Sequence, residues 1–462
     1  MKNKVIHIIL ISSLIVLFSS CKAPNDISSN TMPPENNRIS ITGEWLISKL
    51  NYSYPKDKES DIQKFNGKTA VFSRDFVIIG EEYYYNPQYS LKVVNADEYF
   101  IYQYKILPGD LKIENKKVQV ITVKVEKQYL FEVIKLNEDR LIVNINGIFV
   151  NLNRLSKTTE KEISRYVGKN QNKEDVKKVI KGKSSVLVLG VAYKAKDRNK
   201  QIYKTFLFSS KNGEIGEILV SNDLIFPRKN GFWRVDINDE NLNIYPLNNK
   251  LQGIKLKEWP INRIVFLGND FISFELKDND RFIYRNYPID AVNVQNSVKI
   301  SDLYKEYGRR IFYEKALKFS DGEVYRAIDE SNFTLSRKSG HWILKGRVNN
   351  SNREVSDFNL QLIPSNKMVF YDDLCMNWAY IKSKIPEAKD AFTSPNGDIA
   401  VVFTPKEIQM YNIEGKKLSD KPKKILKING QNDIIMAEWA LGEYYVENWR
   451  EVFLNNSARK VK

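Results

Sequence analysis

A chain of 462 residues is too long for one ordinary core and predicts two or three domains. Hydrophobic residues make up 42% and charged residues 28%, the balance of a globular protein, while two cysteines and two histidines exclude a disulfide-rich scaffold and a Cys/His zinc centre. The net charge of +16 would attract anionic partners, but long like-charge blocks are absent, and a lysine-rich solvated surface is the plainer account.

The first twenty residues read as a secretory leader. Lys2 and Lys4 supply its charged start, and Val5 to Phe18 form an apolar stretch too short to span a bilayer stably. Phe18-Ser19-Ser20-Cys21 follows, with small residues before the cysteine. This resembles the lipobox of bacterial lipoproteins, with Phe18 where Leu is more usual. The resemblance implies that Cys21 becomes an acylated N-terminus holding the chain in a cell membrane, outside the cytoplasm, or in the outer membrane of a two-membrane host. An ordinary leader cut near Ser20 is the alternative. Loss of residues 1–20 leaves a net charge of +14 and one histidine, His341. Cys375 then has no partner cysteine besides the anchor. Residues 21–38, rich in Asn, Ser and Pro, read as a lipidated flexible tether.

Residues 39–156 contain successive strand-like runs: Ile39 to Leu50, Thr69 to Ile79, Tyr89 to Val94, Glu98 to Tyr104, Val118 to Val125, Tyr129 to Lys135 and Arg140 to Leu152. Turns are expected at Asn66-Gly67, Pro108-Gly109 and Asn146-Gly147. High aromatic content (25 Tyr, 23 Phe and 7 Trp) suits pleated surfaces. Many short antiparallel strands predict a small barrel, which removes sheet edges. Gly43-Glu44-Trp45 resembles the Gly-x-Trp opening of lipocalin-like barrels. Asn66-Gly67-Lys68, Asn86-Pro87-Gln88-Tyr89 and the run Asn146 to Leu152 follow in the order found in lipocalin-like domains of low-GC bacterial lipoproteins. That resemblance implies a fold and no activity. Trp45 is expected as a plug at the barrel floor, and Tyr83-Tyr84-Tyr85 with Tyr89 as candidates for a cavity mouth.

Residues 157–183 form a basic linker. Ile163, Tyr166 and Val167, then Val176, Val179 and Ile180, recur at helical spacing, which predicts one or two short helices.

Residues 184–455 again read as short strands, among them Ser185 to Ala192, Ile215 to Val220, Lys367 to Tyr371 and Asp398 to Thr404. Arg228-Lys229-Asn230-Gly231-Phe232-Trp233 is echoed by Arg337-Lys338-Ser339-Gly340-His341-Trp342, 109 positions later, an offset of two propeller blades. Ser301 and Asp302 open a helix carrying Leu303, Tyr307 and Ile311 on one face, which Gly308 is expected to end early. Residues 456–462 read as a basic tail. The fold class expected is therefore mainly β: a small lipocalin-like antiparallel barrel followed by a β-propeller-like domain, with a pair of β-sandwiches as the alternative.

Chemistry is thinly signposted. Arg228 with Trp233 and Arg337 with Trp342 are candidate ligand clamps, because arginine forks bind carboxylate or phosphate and indoles stack on sugars. Packing between blades is the competing reading. Acids near aromatics occur at Asp236, Asp239 and Glu240, at Asp372 and Asp373, and at Glu438, Glu443 and Glu447. A glycosidase needs two of these facing one bond. A Ser-His-Asp site is possible only around His341. Asp236 to Asn241 lacks the glycine and terminal acid of a calcium loop. No phosphate-cradling loop, nucleophile elbow or metal-helix motif is present, so neither a catalytic residue, a metal site nor a cofactor is expected. The expected role is a lipid-anchored envelope module that binds or scaffolds. Its partners would be the membrane through Cys21 and an anionic envelope polymer, a glycan or a protein, with nucleic acid excluded by location. A carbohydrate-active hydrolase and a carrier of small apolar ligands in the barrel are the alternatives.

Overall fold

A computed structural model describes residues 39–461 except 49–64, 81, 126–127, 146–147, 158–182, 195–200, 239–240, 251–252, 257–259, 293–296, 321–327, 351–353 and 429–431. The leader, Cys21 and its tether, the two linker helices and the Asn146-Gly147 turn lie outside the described residues.

The first unit is one antiparallel sheet of β1 (Gly43–Ser48), β2 (Thr69–Phe72), β3 (Phe76–Ile79), β4 (Glu82–Tyr85), β5 (Gln88–Asn95), β6 (Lys117–Val125), β7 (Gln128–Lys135), β8 (Arg140–Ile145) and β9 (Ile148–Ser156). Its order is β4-β3-β2-β1-β9-β8-β7-β6-β5. Gly43 takes φ +135°, and a Cβ there would lie 2.3 Å from the Ser156 carbonyl, so close β1–β9 pairing requires glycine. The sheet curls round a filled interior of Trp45, Phe72, Phe131, Val133 and Leu152. Trp45 is fully buried in this interior, its indole N–H donates to the Ile41 carbonyl and Arg154 covers its ring. Full closure is not reached. Among the described residues no ladder joins β4 to β5. Asn86 in the left-handed region (φ 50°) and Pro87, which has no N–H, turn the chain out of the ladder there.

Glu98 to Tyr104 is not a strand but part of helix α1 (Ala96–Tyr104). Asn95 caps it by accepting from the Glu98 N–H, and Asp97 and Glu98 complement the first turn. These local signals outweigh the β preference of the aromatic run. Tyr99, Phe100 and Tyr104 cover the sheet's other face.

The rest builds five small sheets among the described residues. The first holds β10 (Ser185–Lys194), β11 (Gln201–Lys211), β12 (Glu214–Ile215) and β13 (Leu219–Ser221). Next come β14 (Leu224–Arg228), β15 (Gly231–Asn238), β16 (Asn241–Pro246) and β17 (Ile254–Leu256). The third sheet is β18 (Ile261–Leu267), β19 (Phe271–Asp278) and β20 (Arg281–Pro288). Helix α2 (Ile300–Phe319) precedes the fourth, made of β21 (Phe333–Lys338), β22 (His341–Asn349) and β23 (Val355–Asn359). Helix α3 (Trp378–Lys384) precedes the fifth, with β24 (Asp390–Thr393), β25 (Ile399–Phe403), β26 (Glu407–Glu414), β27 (Lys417–Leu418) and β28 (Lys424–Lys427). The chain then returns. β29 (Asn432–Leu441) pairs with β10 from Ser185 to Tyr193, helix α4 (Glu443–Asn455) follows, and β30 (Arg459–Lys460) pairs with β13.

Each sheet packs on its neighbours in a ring. Val186, Phe226, Ile244 and Phe274 share one cluster that joins the first three sheets. Phe266 and Trp342 join the third to the fourth, and Leu189 and Val401 join the first to the fifth. Arg337 links the fourth to the fifth. A ring of small antiparallel sheets closed by pairing of the last long strand with the first is a propeller-like architecture. The 109-residue echo falls on the opening hairpins of the second and fourth sheets, two blades apart.

Three local expectations fail for physical reasons. Lys367 to Tyr371 forms turns, not a strand, and leaves Phe370 at the surface. Ile215 to Val220 splits, because Gly216 closes a turn onto the Ser209 carbonyl. Helix α2 continues through Gly308, whose missing Cβ makes room for Tyr304 beside a kink at Lys305. The expected basic tail contributes Arg459 and Lys460 to the sheet as β30.

The two units touch through α1 and β7. Lys105, the C-cap of α1, lies 3.7 Å from Asp372 and 3.6 Å from Asp373. Ile101 and Tyr102 pack on Ile343. Tyr129 of β7 meets Tyr380 of α3 edge-on and bonds Asn377.

Candidate functional site

Side chains from several sheets surround a cavity of about 510 Å³. Four of the five sheets contribute. β18 brings Arg263, β21 brings Thr334, Ser336 and Arg337, and β22 brings Lys345. Lys389 and Asp390 enter at β24, and Asn432 to Ile435 enter on the closing strand β29. Along β21, Phe333 and Leu335 join the apolar cluster between sheets, and the consecutive residues Thr334 to Arg337 all reach the cavity.

Both carboxylates at this mouth are already held. Asp390 accepts two bonds from Arg337, from Nε at 2.8 Å and Nη2 at 2.9 Å. Asp433 lies 3.5 Å from Arg263, which also forks onto Glu275 at 3.0 and 3.3 Å. Lys345 and Lys389 are different. The ammonium group of neither makes a hydrogen bond or close ion pair with a described residue, and Lys345 acts on Asp357 only at longer range.

The sequence-predicted clamps occupy other roles. Arg337 spends its fork on Asp390, a further N–H on Asp372 at 2.7 Å and another on the Ala391 carbonyl. Burial alone would depress its pKa, but the Asp390 and Asp372 carboxylates hold it above the ordinary value. Trp342 is fully buried against Phe266 at 5.0 Å, with Arg337 over its ring, so no sugar can stack on it. Free space on that side of Arg337 amounts to about 10 Å³. Arg228 forks onto Asp290 at 2.8 Å, donates to the Asn269 carbonyl and covers Trp233. Each arginine thus bonds from its own blade to the next. This is the packing alternative, and the two pairs do not share a site.

The candidate acids scatter as well. Asp236 accepts from Arg234 and Tyr245. Asp372 accepts from Arg337 and the Trp342 N–H. Glu443 and Glu447 both face Lys211 at the surface. Asp239 and Glu240 lie outside the described residues. His341 is buried, with Nδ1 2.8 Å from the Asp372 carbonyl oxygen, and burial holds its pKa below the usual value. No hydroxyl bonds it among the described residues. Groups of three or more His, Cys, Asp or Glu able to hold a metal are absent among the described residues.

Glu132, a buried acid, was not singled out by sequence, whereas Glu438 was. Glu132 of β7 accepts from Tyr99 at 2.8 Å, from Tyr104, and from Thr122 and Lys92 at 3.3 Å, so its acceptor sites are consumed between the curled sheet and α1. Glu438 of β29 faces Asn269 and Asp270. Burial pushes its pKa up to about 8, opposed by hydrogen bonding from Asn269 and reinforced by Asp270. Of the tyrosines expected at a barrel mouth, Tyr89 is buried and donates to the Ser73 carbonyl, and Tyr84 bonds Glu82. The side chains of Tyr83 and Tyr85 lie outside the described residues.

Fold and cavity together define a mainly β protein in which a curled nine-stranded sheet is docked on a propeller-like ring with an open cavity. No protein-family model matches the chain, and no curated protein matches it. Among solved structures it is weakly similar to TolB from Acinetobacter baumannii, at 10% identity over 67% of this chain and 79% of that one, with a TM-score of 0.22. A putative 6-phosphogluconolactonase from Bacteroides uniformis ATCC 8492 aligns at 11% identity over 53% of this chain and 68% of that one, with a TM-score of 0.17. Another from Bacteroides fragilis NCTC 9343 aligns at 9% identity over 86% and 97%, also with a TM-score of 0.17. No activity follows from matches of this strength.

Proposed function

We propose that this is a lipid-anchored cell-envelope protein, held outside the cytoplasm through Cys21, whose propeller-like ring binds or scaffolds a partner at the cell surface. The observation that carries the binding reading is the open cavity of about 510 Å³, walled by polar and cationic side chains from four rigid sheets. Its two carboxylates are each engaged by an arginine, which leaves no free acid pair for glycoside hydrolysis and favours capture over catalysis. The lipocalin-like reading of residues 39–156 is supported by the antiparallel meander and the Trp45 plug. Its filled interior favours a structural role over carriage of a small apolar ligand. The anchor rests on the lipobox resemblance at Phe18 to Cys21.

Two measurements test this. In cells, the natural chain should sediment with membranes and be released by detergent, whereas Cys21→Ala should lose the anchor; identical fractionation of the two would end the anchoring claim. In vitro, thermal-shift screening against glycans, wall fragments, lipids and proteins should find a stabiliser. A ligand at 100 times its Kd adds about 2.7 kcal/mol. Stabilisation only by lipids would move binding to the barrel and away from the ring.

A further inference from the structure

Four cationic side chains and two carboxylates line the open mouth of the ring. Asp390 is bound by Arg337, which also donates to Asp372, and Asp433 faces Arg263, which also holds Glu275, so both arginine charges are met by carboxylates. Lys345 and Lys389 remain: neither ammonium makes a hydrogen bond or close ion pair with a described residue, and Lys345 acts on Asp357 only at longer range. Lys345 is half-buried and projects from the middle strand of its sheet, opposite Thr334; Lys389 stands exposed at the entrance to β24. Two ammonium groups focused into one concave, partly desolvated space raise the local concentration of anions far more than the same charges on a convex surface. Ser336, Thr334 and Gln201 add polar groups to the same wall, and Phe403 and Pro405 add an apolar one. The Ser336 hydroxyl makes no hydrogen bond with a described residue, and the Gln201 Oε1 is buried without a partner.

We infer that this mouth is a binding site for an oxyanion-bearing ligand, a carboxylated or phosphorylated sugar or polyol unit, held by Lys345 and Lys389. The ligand's charged group sits between the two ammoniums, and its hydroxyls meet Ser336 and Gln201. Lysines on flexible stems act as point charges and do not impose the bidentate geometry of arginine, so they accept carboxylate or phosphate alike. A free small anion and a repeating unit of an anionic envelope polymer present the same group. This assignment rests on the ring being a binding module.

The test is titration calorimetry on the full-length chain in neutral detergent with four probes: inorganic phosphate, glycerol 3-phosphate, a galacturonate trimer and neutral maltotriose. At least one anion should bind saturably, more weakly as sodium chloride rises from 50 to 300 mM. Lys345→Gln/Lys389→Gln should weaken it at least tenfold. Lys229→Gln/Lys417→Gln, which removes two charges elsewhere, should leave it unchanged. Tighter binding of the trimer than of the small anions would support a polymer as the source, and equal binding a free anion. Failure of every anion, undiminished binding by the mouth double variant, or equal affinity for maltotriose would each overturn the assignment. A neutral glycan found by the thermal screen in that case would leave the binding reading standing and remove only the anion.

Discussion

Arg228 and Arg337 occupy equivalent hairpins, yet their surroundings assign them unequal weight. Asp372 and Asp390 are buried, so Arg337→Ala would strand two carboxylates in the interior, and we predict a loss of about 3–5 kcal/mol by urea denaturation. Asp290 is solvent-exposed, and Arg228→Ala should cost no more than about 1 kcal/mol. Equal losses would show that the two hairpins carry the same load. The Arg–Trp echo was legible in sequence because it is local. Its purpose was not, because the partners Asp290 and Asp390 lie 62 and 53 positions downstream. Glu438 gives a pH prediction. Its folded-state pKa is raised to about 8, so the folded chain retains a proton that the unfolded chain releases near the ordinary carboxyl value. Stability from this group is full below that ordinary value and is lost as pH rises through about 8. Melting temperature should therefore fall between pH 5 and 9 in the natural chain, and Glu438→Gln should flatten the fall. An unchanged slope would show that the carboxyl is ionised throughout.

Among the elements, α2 shows how context reverses a propensity. Alanine in place of glycine within an exposed helix gains about 1 kcal/mol. At Gly308 a Cβ would lie 2.4 Å from the Cβ of Tyr304 and 3.4 Å from the Ile300 carbonyl, next to the kink at Lys305. Gly308→Ala should instead destabilise by about 1–3 kcal/mol, read as a lower urea midpoint. A gain would mean that the kink straightens without cost. The sequence signalled a break here, and the structure answers with a bend. Strand runs with clean alternation, such as Val118 to Val125, were readable, as was the turn at Asn66-Gly67. The aromatic run of α1 was not, because Tyr and Phe favour strands until an Asn cap and first-turn acids intervene. Nothing local marks Lys345 and Lys389 either. Lys345 sits on an ordinary strand and Lys389 just before one, and only the ring brings them to one mouth.

For the whole molecule, the curled sheet with its helix and the ring meet through a buried surface that includes Ile101, Tyr102, Ile343, Lys105 and Asp372. A surface of this kind should hold without a covalent link. Residues 39–157 and 183–462 produced as separate chains in one cell should copurify, and Lys105→Glu, which sets a third carboxylate beside Asp372 and Asp373, should weaken their association at least tenfold. Independent elution of the unmodified fragments would mean that the two parts merely touch.

The pairing of β29 with β10 also has a temporal side. Synthesis delivers β10 early, and the ten residues Ser185–Lys194 are almost wholly apolar outside the terminal positions. Their neighbour on one flank, β11, arrives within a few residues, but the other flank stays bare while some two hundred and forty more residues are made. During that interval an extended apolar ribbon with unmatched amides is open to any other strand, including the same ribbon on a second nascent chain. The hazard in this protein's life is thus greatest before it is finished. A holdase that guards it should be found on β10, and should let go when β29 appears.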